Sequence, residues 1–128
     1  MDKKRVLLAE DDEDLREMLV LYLGNMNCEV VPVEDGTAAL TTGREQRFDL
    51  VVTDVMMPGL TGYHVAQQLS EALGPACPKI LIMTSRDTQK ESGLARLSGA
   101  SATLQKPFKM ADFKAKVSEL LGDPAVGK

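Results

Sequence analysis

The sequence predicts an α/β domain: a five-stranded parallel sheet, doubly wound, with helices over both faces. Three observations carry this. Short apolar runs and helical stripes alternate five times within 128 residues. The runs are continuously apolar, as in strands covered on both faces. Each connecting segment holds one helical stripe, which demands right-handed crossovers between parallel strands.

In order, "RVLLA" (residues 5–9) is the first buried strand. Leu15, Met18, Leu19, Tyr22 and Leu23 then recur at helical spacing, with Asp14 placed as N-cap and Gly24-Asn25 as the stop. "CEVVPV" (28–33) is a second strand, and Pro32 assigns it to an edge because proline cannot donate to a ladder. "DGTAALTTGREQR" supplies a turn and a short helix, and "FDLVVTD" (48–54) the third strand. Val65, Ala66, Leu69, Ala72 and Leu73 mark a third helix that ends at Gly74-Pro75. "KILIMTS" (79–85), the polar helix "QKESGLARLSGA" and the short strand "SATLQKPF" follow. Met110, Phe113, Val117, Leu120 and Leu121 form the last stripe, so residues 1–122 read as one domain and 123–128 as a tail.

Composition bounds the function. Hydrophobic residues make up 44% and charged residues 27%, the balance of an ordinary globular domain. A formal net charge of -4 has the wrong sign for a general nucleic-acid binder. No apolar run approaches a membrane span, and acids follow "KKRVLLA" too closely for a signal peptide. Cys28 and Cys77 stand in no metal-binding spacing, so free thiols in a cytoplasmic protein are expected.

Ligands of an open parallel sheet bind at the carboxyl ends of its strands. Strand one delivers Glu10-Asp11-Asp12 there, strand three Asp54, strand four Thr84-Ser85 and strand five Lys106-Pro107. Two carboxylates about 4 Å apart repel by roughly 4 kcal/mol at an effective dielectric near 20. A bound cation removes that cost, and an all-oxygen donor set favours Mg²⁺ or the related Mn²⁺ over zinc. Asp54 is then a candidate nucleophile, since carboxylates form aspartyl-phosphates. Lys106 and the metal would neutralise the transferred group, and Thr84 would hydrogen-bond one of its oxygens.

With these residues in order, the chain resembles the receiver domain of two-component response regulators, the family of the single-domain chemotaxis regulators. The resemblance rests on "LLAEDD", "VVTDVMMPGLTG", "ILIMTS" and "LQKPF", and on intervals of 43, 30 and 22 residues from Asp11 to Asp54, Thr84 and Lys106 in turn. It spans about residues 4–121. It implies a flavodoxin-like (βα)5 three-layer sandwich with strand order 2-1-3-4-5. It implies Asp54 as phosphoacceptor, Asp11 as a direct metal ligand, Glu10 acting through water, and the backbone carbonyl of Met56 as a further ligand. Asp12 stands one step too far along. The Met56 side chain and Arg86 fall where the family tunes dephosphorylation. The implied cycle is phosphoryl transfer from a sensor histidine kinase or phosphotransfer protein, then slow hydrolysis, in a signalling domain rather than an enzyme. The implied output is contact with a downstream protein through the fourth helix, fifth strand and fifth helix, as a monomer or phosphorylation-dependent dimer, without direct nucleic-acid or membrane binding.

One position departs from the family pattern. The aromatic residue that many receivers carry three before the lysine is here Thr103, which cannot serve as a swinging ring. The alternatives are a degenerate receiver that binds partners without phosphorylation and a Mg²⁺-dependent phosphatase with an aspartate nucleophile. Such a phosphatase usually has a second acid where Met56 stands. Taken singly, each motif has an ordinary explanation: "DDED" as helix-capping chemistry, Asp54 as a turn cap, Thr84 as a strand end, Lys106 as a solvated charge. His64 reads as a rim residue, the methionines as core filling, and Lys109, Lys114 and Lys116 as a solvated face.

Overall fold

The computed structural model describes residues 3–85 and 88–122, the side chains of residues 88–92 excepted. Arg86 and the tail at 123–128 therefore lie outside the described residues. Strands β1 (Lys4–Ala9), β2 (Cys28–Val33), β3 (Leu50–Asp54), β4 (Lys79–Thr84) and β5 (Ala102–Gln105) alternate with helices α1 (Glu13–Asn25), α2 (Gly36–Glu45), α3 (Gly62–Leu73), α4 (Thr88–Leu97) and α5 (Met110–Leu121). All strand pairs are parallel, in the order β2-β1-β3-β4-β5. β2 is an edge strand, so Pro32 sits where its missing donor is tolerated.

The period-two alternation of strand side chains divides the core between the two faces of the sheet. Val6, Leu8, Leu50, Val52, Leu81 and Met83 pack with Leu19 and Leu23 of α1 and Phe113 and Val117 of α5. Leu7, Ala9, Val51, Ile80 and Ile82 face the other way, onto Ala39 of α2 and Val65, Ala66 and Leu69 of α3. Each fully buried aliphatic of this size contributes about 1.5–3 kcal/mol. Because both faces are covered, the register is fixed and the strand ends line up: Ala9 lies opposite Thr53, Asp54 opposite Met83, and Thr84 opposite Gln105.

Several local expectations are corrected. Asp12, not Asp14, caps α1: it is extended and its carboxylate accepts from the Leu15 amide at 3.2 Å, which leaves Asp14 in the first turn. β3 begins at Leu50 rather than Phe48. The Arg5 amide donates to the Asp49 carboxylate at 2.8 Å instead of to a strand carbonyl, and Phe48 lies under the Arg5 guanidinium. β4 stops at Thr84, one residue short of Ser85, and β5 is confined to Ala102–Gln105. The buried arc of α1 is narrower than its stripe, since Leu19 and Leu23 are buried while Met18 is exposed. As expected, the cysteines are free thiols, Cys28 buried and Cys77 partly so.

Two glycines bring helix starts against the loop after β3. A Cβ on Gly36 would collide with the Leu60 carbonyl, and one on Gly62 with the Asp54 carbonyl. A Cβ on Gly24 would meet nothing within 4 Å. Gly36→Ala and Gly62→Ala are each expected to destabilise the domain by about 1–3 kcal/mol. Gly24→Ala is expected to stabilise it by up to about 1 kcal/mol. Urea unfolding of the three variants checks the contrast, and equal midpoints would contradict the packing described.

Candidate functional site

The site lies at the carboxyl edge of the sheet, where β1, β3, β4 and β5 end side by side. Asp54 is the last residue of β3 and only 8% exposed. One of its oxygens accepts from the Val55 amide at 2.9 Å, and the other accepts from Lys106 Nζ at 2.9 Å. The same Val55 amide also donates to the Met83 carbonyl, which extends the ladder past the strand end.

Glu10, directly after β1, is fully buried, and each of its polar groups has a partner. Its amide donates to the Val33 carbonyl at 3.1 Å. Its carbonyl accepts from Arg16 Nη1 at 2.9 Å. Its carboxylate accepts from Lys106 Nζ at 2.8 Å and from the Asp12 amide at 3.1 Å. A buried carboxylate tolerates such a place only when so satisfied. Asp11 is exposed beside it, and Glu10, Asp11 and Asp54 each offer an oxygen within 4.8 Å of the others.

Lys106 spans this group from the loop after β5. Its amide donates to the Thr84 carbonyl at 2.6 Å, and its ammonium bridges Glu10 and Asp54. Thr84 is 1% exposed at the end of β4, with Ser85 exposed after it. Burial works against the Lys106 ammonium, yet its two carboxylate partners outweigh that and raise its pKa. Burial pushes Glu10 up to about 7, and the neighbouring Asp54 charge adds to the rise, while Lys106 and the Asp12 amide oppose it. One ammonium does not neutralise three carboxylates. The surplus negative charge and the all-oxygen donor set suit a hard divalent cation.

Glu10, Asp11, Asp54, Thr84 and Lys106 thus arrive at one edge, as the strand-end argument required. Met56 is on the loop two residues past Asp54, with its side chain in solvent. Asp12 spends its carboxylate on capping α1 and its amide on Glu10. Thr103 lies on β5 opposite Ile82, partly buried. His64 is exposed, its ring within 3.1 Å of the Thr61 hydroxyl. Lys114 lies over the Tyr22 ring and Lys116 approaches Glu119 at 3.9 Å, both surface arrangements. Arg16 escaped the sequence reading. Its only signal is a basic residue in an acidic helix start, and its hydrogen bond goes to a main-chain carbonyl that side-chain motifs do not reveal.

The family model for the response regulator receiver domain matches residues 6–118. The DNA-binding response regulator MtrA of Mycobacterium tuberculosis is 36% identical over 115 residues, covering 90% of this chain and 49% of the relative. The chain therefore spans about half the length of the curated relatives it matches. Among solved structures, the chemotaxis response regulator CheY4 of Vibrio cholerae aligns with a TM-score of 0.86 at 25% identity, covering 92% of this chain and 98% of that one. The response regulator TrrA of Thermotoga maritima, in complex with Mg²⁺–BeF, aligns with a TM-score of 0.81 at 28% identity over 91% and 98% of the two chains. The strand order and helix layers match those of these proteins. On the family match and the fold together, this chain belongs to the response regulator receiver domains.

Proposed function

We propose that this receiver accepts a phosphoryl group on Asp54 from a histidine kinase or phosphotransfer protein, in a step that needs Mg²⁺ or Mn²⁺, and that the modified form changes its protein contacts. The observation that carries this reading is the meeting of Glu10, Asp11 and Asp54 within 4.8 Å, with Lys106 bonded to two of them. Asp11, Asp54 and the Met56 carbonyl would hold the metal directly. Glu10 would act through water, which accords with both of its carboxylate oxygens already having protein partners. The bound cation supplies positive charge where the phosphoryl oxygens gather.

An Asp54 carboxylate oxygen attacks phosphorus as the bond to the donor's imidazole nitrogen breaks, and the imidazole leaves with the bonding pair. The ammonium of Lys106 then pairs with a phosphoryl oxygen in place of the carboxylate it held before, and the Thr84 hydroxyl donates to another. Lys106 and Thr84 are joined through the main chain, so engagement of one bears on the other. That linkage offers a route to the surface of α4, β5 and α5 that does not need an aromatic side chain at position 103. Leu94 and Leu97 stand exposed on α4, Leu97 at 86%, as an apolar patch for a partner protein.

Incubation with Mg²⁺ and acetyl phosphate, followed by intact-mass measurement, should reveal the addition of one phosphoryl group. Asp54→Asn should abolish it, and Lys106→Ala should slow its formation by about 10²-fold. An adduct that survives Asp54→Asn would refute the assignment of the acceptor.

The protonation of Glu10 yields a second expectation. Its carboxyl titrates near 7 in the metal-free fold against 4.5 without it, so between those values the folded chain binds the proton more strongly. Its contribution to stability is thus present at low pH and lost as pH rises through about 7. A cation favours the ionised form, so Mg²⁺ binding should strengthen over the same rise and release a proton below pH 7. Calorimetry in buffers of different ionisation enthalpy reads that release, which Glu10→Gln should remove.

A further inference from the structure

We infer that Arg16 is a positioning residue for the acidic pair, acting through the main chain on both sides of Asp11; the inference rests on the phosphoacceptor reading above. Among the described residues, the Asp11 carboxylate has no hydrogen-bond or ion-pair partner. No neighbouring side chain fixes it, so the positions it can reach are limited by where its backbone stands. Both flanking carbonyls are held by Arg16: the guanidinium Nη1 donates to the Glu10 carbonyl at 2.9 Å, and the Arg16 amide donates to the Asp12 carbonyl at 2.8 Å. The first of these bonds depends on the arginine side chain, whereas the second belongs to the helix and survives substitution.

The guanidinium is well placed for this task. The Arg16 side chain is only 15% exposed, although it carries a permanent charge. Among the described residues its one ion pair, to Glu34 at 3.8 Å, involves a carboxylate that is largely in solvent. Such an exposed pair does not account for keeping an arginine so nearly buried. The Glu10 carbonyl, by contrast, belongs to a fully buried residue and would otherwise lack a donor among the described residues. Removing the donor frees the Glu10–Asp11 peptide to rotate, and with it the Asp11 carboxylate. It also loosens the hydrogen bond from the Asp12 amide to the Glu10 carboxylate. Outer partners that orient metal ligands typically matter by about 10- to 100-fold in affinity.

Titration of the metal-free chain with Mg²⁺, followed by calorimetry on variants shown to be folded by circular dichroism, tests this. Arg16→Ala should weaken Mg²⁺ binding by about 10-fold or more. Arg16→Lys, which keeps the charge and can reach with one donor, should recover part of the loss, and Glu34→Gln should stay within about twofold of the parent. Without metal, amide hydrogen exchange at Asp12 should accelerate in Arg16→Ala while the amides of β3 and β4 keep their protection, a pattern that general loosening would not produce. If Arg16→Ala does not fold, Arg16→Gln replaces it with the same expectations. Arg16 variants that bind Mg²⁺ as the parent does overturn the inference, as does a Glu34→Gln loss equal to that of Arg16→Ala. A parent chain that binds no Mg²⁺ overturns the phosphoacceptor reading itself, and the two failures are told apart by the parent titration alone.

Discussion

Repulsion among carboxylates at the edge of a parallel sheet is the constraint on which the rest of this molecule depends. Glu10 and Asp54 are brought together by strands whose register is fixed by two apolar faces, so neither acid can retreat without breaking the core. The fold answers with a single ammonium placed between them. Lys106 lowers the cost but does not cancel it: the pKa of Glu10 stays raised, chiefly because the carboxyl is buried and to a lesser degree because the Asp54 charge stands beside it. The sheet thus holds its acids in a state that a divalent ion or a proton improves, and a strained electrostatic arrangement of that kind is the usual mark of a functional site.

Part of the supporting structure is directed at this edge. Glu10 is held by four separate partners, drawn from β2, the turn after β1, α1 and the loop after β5. Asp54 is braced from behind, because α3 begins with a glycine pressed on its carbonyl. An N-terminal helix turn packed so closely leaves Asp54 little freedom to shift along the strand. The opposite edge has its own fastening, with Arg5 bonded to Glu29, Gln46, Asp49 and the Arg47 carbonyl. That knot fastens the amino-terminal edge of the sheet, away from Glu10 and Asp54.

How much of this was legible in the sequence differs by kind of feature. The strand-end residues could be read because a buried strand announces its own end, and charged or hydroxyl residues just past it have one place to go. The edge assignment of β2 followed from a proline alone. Local boundaries were less visible. A run of acids from Asp11 to Asp14 offers several possible caps, and the choice of Asp12 depends on where the turn leaves β1. Phe48 has strand composition, but the Asp49 side chain replaces a ladder partner there, which no pattern of hydrophobicity encodes. Met18 fits the helical stripe, yet it stands at the margin of that stripe and stays exposed while Leu19 and Leu23 are buried. Arg16 was hidden for a different reason, since its partner is a carbonyl that every residue possesses.

The short bond between the Lys106 amide and the Thr84 carbonyl has a mechanical meaning. It ties the residue bearing the cation to the residue bearing the hydroxyl across the outermost pair of strands. On the proposed function, a pull on one would reach the other through this main-chain bond rather than through an aromatic ring. Engagement of Lys106 and Thr84 beside Asp54 would, on that same proposal, bear on this outer border of the sheet as one piece, and Thr103, paired with Ile82 within it, would be carried along.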